Sequence, residues 1–278
     1  MSAAVEPQGP GARAGAPAGT NATEELAGHG THGHFTTHFD EPVLDFEAPE
    51  TLIDDAVLEE LRMIAARYPQ ARSALLPMLH LVQSVEGRVT PAGIEACAAI
   101  LDISTADVSG VATFYTMYKR RPVGKYHVGV CTTALCAIMG GDEVYARLQE
   151  HLGIGNDETT EDGAITLEHL ECNAACDYAP VMMVNWEFFD QATPENAVQV
   201  VDALQSGVRV QATRGARVAT WQETERVLAG FPDGKADEGP TSGGASRLGL
   251  QIARERGWHA PSAPPPPEQS DDEPTEQS

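Results

Sequence analysis

The sequence predicts an α/β protein: a small N-terminal helical bundle, then a compact α/β domain, with disordered tails at both ends. Three observations carry this reading. Between residues 46 and 120, apolar residues recur at three- and four-residue steps, the helical period. From 121 to 207, short β-prone runs alternate with helical ones. Outside those limits apolar residues thin out, and Ala, Gly, Pro and acidic residues take their place.

Residues 1–45 read as a disordered leader. It carries His29, His32, His34 and His38, a tract that without a folded scaffold gives at most weak metal binding. Leu52, Val57, Leu58, Leu61 and Ile64 then mark the apolar face of a first helix, which Tyr68-Pro69 ends because the residue before proline is pushed out of the helical region. A second helical run, with Leu75, Leu76, Leu79, Leu81 and Val82, stops at Gly87. Thr90-Pro91 starts a third: a hydroxyl to cap, then proline at the first helical position. Ser104 opens a fourth, containing Val108, Val111 and Phe114. Phe114, Tyr115 and Tyr118 are expected to pack the bundle against the next domain or a partner, with use in the core as the plainer reading.

After Pro122-Val123-Gly124 the period changes. KYHVGV, 125–130, reads as a strand; DEVYARLQEHLGI, after Gly140-Gly141, as an amphipathic helix; ITLEHLE, 165–171, as a second strand. VMMVN and EFF, 181–185 and 187–189, straddle a short turn as a hairpin, and Pro194 begins a helix that stops near Gly207. Strand, helix, strand, paired strands, helix is the order of a thioredoxin-like α/β domain. Residues 208–278 read as an extension, largely a disordered acidic and Pro-rich tail, in which WQETERVLAGF, 221–231, forms at most a short docked helix.

A net charge of −23 on 278 residues excludes nucleic acid as a partner, since a polyanion would be repelled. No apolar run approaches the length of a membrane span, and the opening residues lack an export pattern. An intracellular protein with no direct membrane insertion is expected, its five cysteines serving as ligands or thiols rather than disulfides.

Four of those cysteines form two pairs. Cys131-x4-Cys136 and Cys172-x3-Cys176 each follow a predicted strand, so two adjacent strands would deliver four sulfurs to one end of the domain. Four thiolates complete either a 2Fe–2S cluster or a tetrahedral zinc site, and the spacing leaves both open. The small loop residues Thr132, Thr133, Ala134, Asn173, Ala174 and Ala175 incline the reading toward iron, because backbone N–H groups can then approach the cluster sulfurs. Cys97 lies on an apolar helical face and reads as a buried structural thiol. His127 and His169 sit on strands near the pairs, but four cysteines already suffice. Met182 and Met183 alternate on a strand, one for the core and one covering the cluster region. Asp177 reads as a solvated loop carboxylate.

At these residues the chain resembles the NuoE family, the 24-kilodalton-type iron–sulfur subunit of respiratory complex I (NADH:quinone oxidoreductase). The resemblance runs from about Leu58 to Gly207 and rests on YPQARSALLPMLHLVQ, VSGVATFYTMY, VGKYHVGVCTTALC and LECNAACDYAPVMMVN. It implies one 2Fe–2S cluster in a thioredoxin-like ferredoxin domain behind a helical bundle, with Cys131, Cys136, Cys172 and Cys176 in the ligand positions. It implies an electron-transfer subunit on the cytoplasmic side of the bacterial plasma membrane, held there through the complex. Its partners would be the flavin- and NADH-binding subunit and other hydrophilic-arm subunits. FMN and NADH would be bound by that partner, and no G-x-G-x-x-G follows a strand here. This chain would then carry no complete active site of its own. An equivalent subunit of an NAD-linked hydrogenase or formate dehydrogenase, a zinc-stabilised adaptor and a free-standing ferredoxin are the alternatives.

Overall fold

The computed structural model describes residues 51–260; the predicted leader with its histidines and the final acidic tail lie outside the described residues. Helix α1 (Asp55–Ala65) starts where the Asp54 side chain accepts from the Val57 N–H, and a 3-10 turn at Ala71–Ala74 leads into α2 (Leu75–Glu86). Gly87, at φ 74°, ends α2 in the left-handed conformation that glycine adopts without steric cost. Helix α3 (Pro91–Leu101) is capped by Thr90 with Pro91 in its first turn, and α4 (Thr105–Phe114) by Ser104. Their inward faces bury Leu61, Ile64, Met78, Leu79, Val82, Cys97 and Val108 in one core.

The second half is a five-stranded sheet in the order β2-β3-β1-β4-β5, from β1 (Tyr126–Cys131), β2 (Glu158–Thr159), β3 (Ile165–Leu170), β4 (Met182–Val184) and β5 (Glu187–Phe189). Strands β1 and β3 are parallel, joined by the crossover helix α6 (Gly141–Leu152), while β4 returns antiparallel to β1 and pairs with β5. Helix α7 (Pro194–Gln205) packs beside α6, and with it covers Val128, Val130, Ile165, Leu167 and Met182. Strand β1 is buried along its whole length, so it alternates between two interiors rather than between core and water. A further helix, α5 (Ala134–Ile138), lies between β1 and α6. Sequence reading treats those residues as loop, because five residues are too few to show a helical period.

The segment after 207 corrects the expectation of a largely disordered extension: its described part holds α8 (Trp221–Leu228), where a short docked helix is expected, and also α9 (Gly244–Glu255). Helix α8 lies against α2 and clasps bundle to sheet. The Trp221 backbone N–H donates to the Lys125 carbonyl at 2.8 Å, its indole Nε1 to the Gly87 carbonyl at 3.0 Å, and Arg226 pairs with Glu60 of α1. Glu225 is fully buried and accepts from His80 Nδ1 (2.6 Å), Gln83 Nε2 (2.7 Å) and Trp186 Nε1 (3.1 Å). Trp186 belongs to the β4–β5 turn, where it and Asn185 both have positive φ (72° and 47°), the signature of a type I′ hairpin. Three elements far apart in sequence therefore meet at one carboxylate.

A second buried polar cluster joins the same halves. Glu168 of β3 lies 2.6 Å from both Lys119 Nζ, just past the bundle, and His127 Nε2 of β1. Burial raises the Glu168 carboxyl, but the His127 and Lys119 hydrogen bonds outweigh it and hold the group at about 2. Burial drives His127 the other way for a base, below its usual value, so the ring stays neutral with Nε2–H donating. Glu168 is thus held below its unfolded value near 4.5, and the stability it contributes is present above that pH and is lost as pH falls toward about 2. His127 acts in the same direction, since its neutral form is the one the fold accepts. We expect acidification through this window to cost on the order of 3 kcal/mol from Glu168. Urea midpoints measured across it should fall steeply for the wild type and less for Glu168→Gln; parallel profiles would refute the linkage.

Candidate metal centre

Cys131 ends β1 and Leu170, its register partner, ends β3, so both cysteine pairs leave the sheet at the same edge. The first sulfur is set by the strand: the Cys131 N–H donates to the Val181 carbonyl at 3.0 Å. Helix α5 then turns the chain so that Cys136 comes back beside it, and α6 follows so closely that a Cβ on Gly141 would stand 2.5 Å from the Cys131 carbonyl. Only glycine fits there. The second pair lies on an irregular loop in which Ala174 takes a positive φ of 53°, a conformation costly for a side-chain-bearing residue and retained here at the site itself. That turn brings the Ala174 N–H to the Cys172 sulfur at 3.3 Å. Cys176 opens a short 3-10 turn, Cys176–Tyr178.

The thiols influence one another within and across the pairs. Burial alone would raise the Cys131 thiol, but the Thr133 side chain and backbone and the Asn173 backbone N–H hydrogen-bond its sulfur and leave it below the usual value. Burial, then the hydrogen bond with Cys131 and its charge, push Cys136 up to about 11, with Cys176 adding to the rise. Cys172 raises Cys176 first by a hydrogen bond and then by charge, and Cys131 contributes from the other pair. Sulfurs so placed that one thiolate raises its neighbour's thiol, as at Cys136 and Cys176, call for positive charge among them. Cys131 and Cys136 are buried, Cys172 and Cys176 exposed. Among the described residues no three His, Cys, Asp or Glu side chains are grouped to hold a single ion; the sulfurs stand as two pairs. A 2Fe–2S cluster, in which each iron takes two protein sulfurs, fits that arrangement. The buried amide nitrogen of Asn173, which has no hydrogen-bond partner, fits it too, because cluster sulfurs are acceptors.

The other residues noted in the sequence fall away from this centre. Cys97 is buried in the bundle, where loss of solvent raises its thiol to about 12. His169 hydrogen-bonds Asn156, and Met182 and Met183 are both buried in the sheet. Phe114 corrects the core reading: it is 76 % exposed, edge-on to Tyr115 at 4.9 Å, whereas Tyr118 is buried and its hydroxyl donates to the Leu76 carbonyl. Asp177 is not a free loop carboxylate either. It is held by Arg214 and by Ser246 at the start of α9, and its carboxyl is lowered first by the Ser246 hydrogen bond. Arg214 also binds Asp190 and lies between the Tyr178 and Phe188 rings, 5.4 Å from each. Sequence reading passed over Arg214 because its partners are 24 and 37 residues away, with no local pattern to mark it.

The family model described as thioredoxin-like [2Fe-2S] ferredoxin matches residues 61–205. The chain is 57 % identical over 206 residues to an NADH-quinone oxidoreductase subunit of Mycobacterium tuberculosis, covering 74 % of this chain and 82 % of that one. It is 38 % identical over 149 residues to NADH-quinone oxidoreductase subunit 2 of Thermus thermophilus, covering 52 % and 82 %. Among solved structures it resembles a thioredoxin-like [2Fe-2S] ferredoxin from Aquifex aeolicus, at 23 % identity, 32 % of this chain, 87 % of that one and a TM-score of 0.27.

Proposed function

This chain belongs to the thioredoxin-like [2Fe-2S] ferredoxin family, and on that premise we propose that Cys131 and Cys136 hold one iron of its cluster and Cys172 and Cys176 the other. It is an electron-transfer subunit of NADH:quinone oxidoreductase, with FMN and NADH on a partner subunit. The observation that supports the ligand set is the meeting of both thiol pairs at the shared edge of β1 and β3.

When bound, the cluster supplies a centre that takes or gives one electron at a time. The chain's own residues do the rest. Cys131 and Cys136 anchor the inner side in a buried pocket, and N–H groups of Asn173 and Ala174 reach toward sulfur and stabilise its negative charge. Cys172 and Cys176 leave the outer side open, with Leu135, Ile138 and Met139 exposed around Cys136. This open edge is the side from which a flavin-bearing partner would deliver electrons. The described part of the bundle, 51–120, and the α/β domain, 121–207, act as one support for it, locked by α8. This chain completes no active site alone; hydride chemistry stays on the partner.

No single described helix is long and apolar enough to cross a membrane. The pair α3 and α4, bent by 120°, passes the apolar test together but supplies the bundle core. Attachment to the cytoplasmic face through the complex is the reading that likeness to NADH-quinone oxidoreductase subunits supports. In the native complex, anaerobic NADH should produce an EPR signal of a reduced 2Fe–2S centre assignable to this subunit. A purified chain that binds one zinc and no iron would overturn the reading.

A further inference from the structure

Among the described residues, two buried side-chain nitrogens lack any hydrogen-bond partner: His127 Nδ1 and Asn173 Nδ2. The first is a bare lone pair in the neutral ring, against the Trp186 and Trp221 indoles. The second is different in kind. A carboxamide nitrogen carries two N–H donors, and a buried donor without an acceptor costs about 1–3 kcal/mol. The orientation with nitrogen inward therefore needs an acceptor to meet it.

Its position says what that acceptor is. Asn173 follows Cys172 directly, its own backbone N–H is near enough to the Cys131 sulfur of the other pair to lower that thiol, and the next N–H, of Ala174, bonds Cys172. Asn173 thus spans the two thiol pairs. Resting on the ligand reading above, we propose that the Asn173 carboxamide donates a hydrogen bond to a sulfur of the bound 2Fe–2S centre and sets its reduction potential. The reduced centre carries one more negative charge than the oxidised one, so a donor stabilises the reduced form more and raises the potential. Asn173 is a positioning and tuning residue that leaves the ligand set untouched.

The test is an EPR redox titration of the native complex carrying Asn173→Leu, an apolar side chain of similar size, and Asn173→Ser, which keeps one donor. With the cluster loaded, Asn173→Leu should lower the ratio of reduced to oxidised centre about tenfold at fixed potential, a shift of about 59 mV to more negative values for one electron. Asn173→Ser should fall between. A loaded Asn173→Leu centre with the wild-type potential overturns the proposal. If Asn173→Leu fails to load, the wild-type complex labelled with 15N in the asparagine side chain decides. A 15N coupling in the pulsed EPR spectrum of the reduced centre supports the contact, and its absence refutes it. A wild-type complex without a 2Fe–2S signal from this subunit would refute the ligand reading instead, so the two failures are distinct.

Discussion

Cys131→Ala is expected to strip this subunit of its iron–sulfur absorption and EPR signal, whereas Cys97→Ala should leave both in place. The two residues are alike in type and both are buried, so burial does not separate them. Their surroundings do. Cys131 is bonded by Thr133 and by the Asn173 N–H and its thiol is lowered, which favours the thiolate that iron requires. Cys97 is surrounded by the bundle core, with its thiol raised to about 12, and has nothing to ligate. Removing the Cys131 sulfur leaves one iron short of a ligand. Changes to outer residues of metal sites already cost roughly 10–100-fold in affinity, so loss of a ligand should exceed that. Iron and acid-labile sulfide per chain, together with the EPR of the dithionite-reduced protein, provide the readout. Wild-type iron content in Cys131→Ala would remove that residue from the ligand set.

Glu225→Ala should be the most damaging substitution for stability outside the cluster, at about 3–5 kcal/mol. The carboxylate is fully buried and is the shared acceptor of His80, Gln83 and Trp186. Alanine would deprive the buried His80 and Gln83 donors and the half-buried Trp186 indole of this acceptor, each buried donor at roughly 1–3 kcal/mol, and would leave a cavity that partial collapse only reduces. Glu225→Gln keeps one acceptor oxygen and the volume, and should cost about half as much. Because the indole of Trp186 is one of the donors and Trp221 lies 6.0 Å from it, tryptophan fluorescence during urea unfolding reports on this seam. A loss below about 1 kcal/mol for Glu225→Ala would show that the network relaxes freely and that α8 is not the clasp described.

How much of this was legible beforehand depended on the range of the interactions concerned. Thr90-Pro91, Ser104, Gly87 and Pro194 mark helix ends in the sequence because capping is settled within four residues. The hairpin could be read from two β-prone runs, although Asn185-Trp186 is an uncommon pair for its turn; Trp186 is held in the left-handed region with its indole bonded to Glu225 and set against the tilted rings of His127 and Trp221. The thiol pairs were legible from their spacing, and their family from the surrounding segments. Helix α5 was too short to show a period. Within the extension α8 was legible as a short docked helix, but α9, the pairing of Asp177 with Arg214 and the exposure of Phe114 left no local trace.

By itself, then, the sequence determined which segments are helix and strand through the bundle and sheet, which four sulfurs are paired, and to which family they point. Those properties follow from neighbours along the chain. Only the tertiary structure decided that both pairs leave the same end of the sheet, that the Asn173 amide nitrogen beside Cys172 is buried without a partner, and that a helix beyond residue 207 locks bundle to sheet through Glu225. Each depends on groups far apart in sequence: Glu225 lies 142 residues from Gln83 and 145 from His80, and such partners become neighbours only when burial has removed the alternative of bonding to water.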